Sequence, residues 1–110
     1  MTNQEVYDTV KAHLIKQNAK SRHEVIGEGT CLYRDFEGRK CAAGIFIPYD
    51  KYTPEMEGKR VTVLVQEKLF NFDGIDLDLL SSLQRVHDND DVESWSTALA
   101  EVAIDFGLNP

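Results

Sequence analysis

The strongest constraint on the fold lies near the end of the chain. Trp95, Leu99, Val102 and Phe106 recur at steps of four, three and four residues. That spacing lines one face of an α-helix and leaves the other to solvent. Gly107 followed by Leu108 reads as a left-handed helix stop with an apolar residue just beyond it. The same logic finds three further helices. Thr2-Asn3-Gln4-Glu5 matches a capping box. Val6, Val10 and Leu14, with Tyr7 beside them, then predict a helix from about Asn3 to Gln17. Asp76 can cap a helix whose apolar face is Leu79, Leu80, Leu83 and Val86, and Asp91 can cap the final one. Thr53-Pro54 places a cap and a first-turn proline before the remaining helix. Within it Val61, Leu64, Val65 and Leu69 favour helix, whereas Val61, Val63 and Val65 alone would favour strand; the helix is preferred.

Cys31 to Pro48 is different in kind. It holds both cysteines, a cluster of Arg34, Arg39 and Lys40, and the small-residue run Ala42-Ala43-Gly44. Thr30 to Arg34 and Arg39 to Ala43 read as two strands joined around Asp35-Phe36-Glu37-Gly38, with Gly38 supplying the positive φ that the turn needs. His23 to Gly27 is ambiguous, and extended backbone suits it best. The expected order is α-β-β-α-α-α. The expected class is an α+β fold forming one domain over residues 1–110, with the hairpin packed on the helices.

Charge is the second signal. The formal net charge is −7. Residues 1–55 carry eight acids and eight bases, whereas residues 56–110 carry eleven acids and only Lys59, Arg60, Lys68 and Arg85. A field of that sign repels nucleic acid and attracts basic partners, so direct nucleic-acid binding is not expected. No apolar run approaches the 18 or so residues of a membrane span. The polar, acidic start MTNQEVYDTV lacks the features of a secretion signal. A cytoplasmic location with reduced thiols is the expectation.

Candidate site residues fall into two groups. The acidic candidates are Asp76, Asp78, Asp88, Asp90, Asp91 and Glu93, a face for a cationic partner. The hairpin candidates are Cys31, Tyr33, Arg34, Arg39, Lys40 and Cys41, an anion-binding patch in which Tyr33 or Phe36 could stack. For the cysteines the simplest reading is small buried thiols. A disulfide is geometrically feasible but not favoured, and a catalytic thiolate would need Arg34 or Lys40 beside it. His13, His23 and His87 are scattered, so no metal, cofactor or catalytic residue is assigned. No phosphate-loop or dinucleotide motif is present.

Cys31-x-Tyr33-Arg34, Gly38-x-Lys40-Cys41-Ala42-x-Gly44, Ile47-Pro48 and Tyr52-x-Pro54-x-Met56-Glu57-Gly58 together resemble a group of small proteins encoded in tailed-phage genomes and bacterial prophages. Leu83-Gln84-x-x-His87-Asp88 and the acidic Trp95 helix are similar to that group as well. The resemblance implies a phage or prophage origin and transfers no catalytic residue. By analogy with small acidic phage proteins, it implies binding and inhibition of a host protein with a basic surface, such as a defence component, some such proteins imitating DNA. The main expectation is therefore a non-enzymatic host-binding protein. The alternative is a nucleotide-like anion-binding module, or a Cys-dependent enzyme, centred on residues 31–44.

Overall fold

The computed structural model describes residues 1–22 and 31–110. The ambiguous His23–Gly27 stretch and Thr30, the expected first strand residue, lie outside the described residues. Among the described residues four α-helices form: α1 (Asn3–Gln17), α2 (Val61–Gln66), α3 (Leu77–Asn89) and α4 (Trp95–Asp105). Single 3-10 turns occupy Gly44–Phe46, Pro54–Met56 and Val92–Ser94.

Local chemistry accounts for the helix ends. Glu5 donates its amide to Thr2 Oγ1 at 3.1 Å, and the Glu5 carboxylate accepts from the Thr2 amide at 2.8 Å, which completes the capping box. Asp76 accepts from the amides of Asp78 and Leu79 and starts α3. After α4 the chain turns at Gly107 (φ +67°), and the Leu108 amide reaches the Ala103 carbonyl at 2.7 Å. Two expected caps differ. The Thr53 hydroxyl caps nothing and is buried without a partner, and Pro54–Met56 makes only one 3-10 turn. Gly58, at φ +79°, separates that turn from α2, so the long helix expected here is two short pieces. Asp91 precedes a 3-10 turn rather than capping α4 with its side chain.

The expected α+β class is overturned. Among the described residues there is no sheet and no β-hairpin; the only strand-like pairings are the isolated bridges Arg22–Cys31 and Arg34–Lys40. The chain is a small helical fold. The reason is where the backbone groups of residues 33–43 find partners. Glu57 accepts from the Tyr33 and Arg34 amides at 2.8 and 3.4 Å. Gln17 accepts from the Lys40 amide at 2.9 Å, and His13 and Gln17 both reach the Lys40 carbonyl. Gln84 accepts from the Ala43 amide at 2.9 Å. The buried Asp35 carboxylate takes the amides of Glu37 and Arg39, each at 2.9 Å. Polar side chains from the helices and the 54–58 segment thus supply what a partner strand would have supplied.

The buried residues form two clusters. In the first, Val6, Tyr7, Val10 and Leu14 of α1 meet Leu79, Leu83 and Val86 of α3 and Trp95, Leu99 and Val102 of α4. The second gathers Tyr33, Cys41, Ala43, Ile47, Met56, Val61, Leu64 and Phe72 around Leu80. α3 therefore serves both, with adjacent positions Leu79 and Leu80 entering different clusters. Each fully buried leucine of this kind contributes about 1.5–3 kcal/mol. Gly44 lets the Gly44–Phe46 turn lie directly on the Tyr33 backbone, since a Cβ there would sit 2.0 Å from the Tyr33 carbonyl oxygen.

Candidate functional site

α3 presents Ser81, Gln84, Arg85 and Asp88 along one side, at helical spacing. Facing them are residues Cys31–Tyr33 and the segment from Gly58 to Thr62 that leads into α2. Between these three elements lies a cleft of about 770 Å³.

Each wall is fixed by named bonds. The Leu32 amide donates to the Ser21 carbonyl at 2.9 Å, and Arg22 bridges to Cys31. The Tyr33 hydroxyl donates to the Lys59 carbonyl, tying two walls together. Glu57 adds a clasp: its carboxylate accepts the Tyr33 and Arg34 amides and, at 2.7 Å, the Tyr52 hydroxyl. Gln84 bonds at both ends, to the Ala43 amide and to Asp88 Oδ1 at 3.0 Å.

The electrostatics of the cleft run against those of the molecule. Lys59, Arg60 and Arg85 line it, three of the four bases found in residues 56–110. Lys59 is paired with Glu67 at 2.7 Å. Arg60 and Arg85 are exposed and make no ion pair among the described residues. Asp88 is the one acid lining the cleft among the described residues. Its Oδ1 is engaged by His87 and Gln84.

Cys31 and Tyr33 are the only two of the six hairpin candidates that reach this cleft. Burial, reinforced by the Asp88 charge, pushes the Cys31 thiol up to about 11. Cys41 is fully buried, and burial raises its thiol further still. Both cysteines are free. The three basic candidates do not converge. Arg39 pairs with Asp35 at 2.6 Å and Glu37 at 3.1 Å. Arg34 is sandwiched between Tyr49 and Tyr52, 4.8 and 4.7 Å from their ring centres, and donates to the Ile47 carbonyl. Lys40 is half-buried beside α1, outside the cleft lining. The acidic candidates are also divided. Asp76 and Asp78 stand at the start of α3, and Asp88, Asp90, Asp91 and Glu93 cluster at and beyond its end. At 1.5 Å per residue the two sets are roughly 18 Å apart.

Cys31, His87 and Asp88 bring their ligating atoms within 4.8 Å of one another. The arrangement does not fit a metal. The Ser21 amide donates to His87 Nε2 at 3.0 Å, so that nitrogen is an acceptor and the ring proton sits on Nδ1, which donates to Asp88 Oδ1 at 2.8 Å. Neither nitrogen offers a free lone pair, and the thiol is held protonated well above neutral pH. The Cys31 thiol points to the Asp88 carbonyl at 3.9 Å, and the Asp88 charge beside it raises the thiol rather than activating it.

Sequence reasoning missed Lys59, Arg60, Ser81, Gln84 and Arg85. The scarcity of bases in the second half was the usable signal; the convergence of residues 59, 60 and 85 is set by the fold. Among the described residues no helix is long and apolar enough to cross a membrane. Comparison with protein-family models, with curated proteins and with solved structures finds no match to this chain.

Proposed function

We propose that the chain is a small binding module that takes an anionic small molecule, of phosphate-bearing type, in the cleft between Cys31–Tyr33, Gly58–Thr62 and α3. One observation carries this reading. In a molecule of charge −7, three of the four bases of its acidic half line a single cleft. The volume lies within the ~300–1,000 Å³ usual for small-ligand sites. Arg60 and Arg85 hold the anion, since their guanidinium groups make no ion pair among the described residues and suit bidentate contact with phosphate oxygens. Ser81, Gln84 and Asn89 offer neutral polar contacts to the rest of the ligand. Cys31 forms part of the wall as a neutral thiol, and no catalytic residue is assigned.

Calorimetric titration with pyrophosphate and with adenosine monophosphate tests the proposal. Saturable binding is expected, weakened about ten-fold or more by either Arg60→Gln or Arg85→Gln. Lys68→Gln, which removes the base outside the cleft, leaves binding unchanged. No saturable binding, or R60Q and R85Q proteins indistinguishable from the parent, refutes it.

A second reading, docking on a basic surface of a host macromolecule as the phage resemblance implies, has its own support. Asp90, Glu101 and Asp105, with Arg85 among them, line a shallow groove between α3 and α4. Salt-sensitive binding of a basic peptide, lost on neutralising these three acids, would favour it; salt-independent binding would count against it.

A further inference from the structure

The link between His87 and the cleft carries an inference that rests on the ligand-binding reading and concerns its regulation. His87 and Ser21 are both fully buried. The Ser21 amide donates to Nε2 at 3.0 Å, and Nδ1 donates to Asp88 Oδ1 at 2.8 Å. Ser21 also organises the wall of the cleft. Its carbonyl accepts from the Leu32 amide at 2.9 Å, its hydroxyl donates to the Arg39 carbonyl at 3.0 Å, and its neighbour Arg22 forms the bridge to Cys31.

We propose that His87 is a proton-operated latch on the Cys31–Tyr33 wall of the cleft. Neutral His87 holds Ser21 and keeps the wall closed; a proton from solvent, bound at Nε2, removes the acceptor and releases it. The imidazolium has N–H groups at both positions and no lone pair. Its Nδ1–H keeps the bond to Asp88, while its new Nε2–H opposes the Ser21 amide head-on. Ser21 must then shift, and Leu32 and Cys31 shift with it. Among the described residues, the titratable and charged groups near the ring are Asp88 on α3 itself, and Cys31, Lys20 and Arg22 on the facing chain; Lys20 donates to the Asp88 carbonyl at 3.3 Å. From α4 the ring meets Trp95, stacked at 5.6 Å, whose indole N–H donates to the Asp90 carbonyl. Because the Cys31–Tyr33 wall lines the anion cleft, its release by protonation changes anion affinity, and a bound anion shifts the protonation equilibrium by the same factor.

The test uses the whole chain without ligand. Cys31 is labelled with dithiodipyridine, a disulfide that still reacts with thiols in mild acid, between about pH 8 and pH 5, the range of histidine switching. The parent is compared with His87→Gln, in which the amide oxygen still accepts from Ser21 but does not titrate. The ratio of parent to H87Q labelling rates is expected near one at pH 8 and about five-fold or more at pH 5, as the wall opens locally. A ratio that stays flat overturns the latch. Should H87Q fail to fold, nitrogen NMR of the parent decides. A ring protonated at Nδ1 at pH 8, with Ser21 and Leu32 amide signals moving as the ring titrates, supports the latch. A ring protonated at Nε2, or a Ser21 amide indifferent to the titration, overturns it. Neither readout needs an anion, so failure of the latch and failure of the binding reading give different results.

Discussion

Gly44→Ala is the sharpest test of how residues 31–47 are packed. An alanine Cβ would lie 2.0 Å from the Tyr33 carbonyl oxygen, 2.9 Å from its carbon and 3.3 Å from the Tyr33 Cα. All three are backbone atoms, so no side chain can swing aside. Restoring ordinary contact means separating the two backbones by about 1.4 Å. That movement breaks the bond from the Cys41 amide to the Tyr33 carbonyl, 3.3 Å long, and opens the cluster holding Tyr33, Cys41 and Ala43. Overpacking of this kind costs ~1–3 kcal/mol, and a lost hydrogen bond adds ~1 kcal/mol, for a total of about 3 kcal/mol. With a urea slope of about 1.5 kcal/mol/M, the unfolding midpoint should fall by about 2 M. Gly38→Ala is the control. Gly38 also has a special backbone, at φ +81°, but an added Cβ would meet nothing within 4 Å. Only the left-handed penalty of about 1 kcal/mol remains, a midpoint shift of about 0.7 M. Equal shifts for the two variants, or a G44A shift below about 0.5 M, would refute the close-approach argument.

Glu57→Gln places amide hydrogens against a set of donors and should cost about 2 kcal/mol in urea unfolding. Asp76→Ala removes the α3 cap and should cost about 1 kcal/mol. Amide and Asn3 donors hold the Asp76 carboxyl below its ordinary value, so its contribution is present above the usual carboxylate range and fades as pH falls through that lowered value. Asp76→Asn, which cannot titrate, should flatten this part of the stability-against-pH curve. With maleimide at pH 8, Cys31 should label slowly, its thiol being pushed up to about 11, and Cys41 only after unfolding. Fast labelling of Cys41 in the folded protein would contradict its burial.

Helices α1, α3 and α4 were legible in the sequence because their signals are local. The Thr2 capping box, the Asp76 cap and the Gly107 stop each act within a few residues, and α1 spans the predicted Asn3–Gln17. The hairpin reading failed because strand patterning says nothing about what competes for the backbone. Gln17, Glu57 and Gln84 lie far from the hairpin in sequence, yet they take the amides that a second strand would have used. Arg34, Arg39 and Lys40 look like one basic patch when only their order is known. In three dimensions Tyr49, Tyr52, Asp35 and Glu37 draw two of them apart. The cleft joins residues near 32, 60 and 85, a conjunction that no local periodicity encodes.

That α3 carries Leu79 and Leu80 into two different clusters has a consequence for how the chain comes apart. Neither cluster can lose this helix without taking the other's central leucines with it. Subglobal opening of one half is thereby suppressed, and the described helices should melt as one cooperative unit. In native-state hydrogen exchange the α3 amides should share the slowest rates, with α1, α2 and α4 approaching the same limiting free energy rather than dividing into separate tiers.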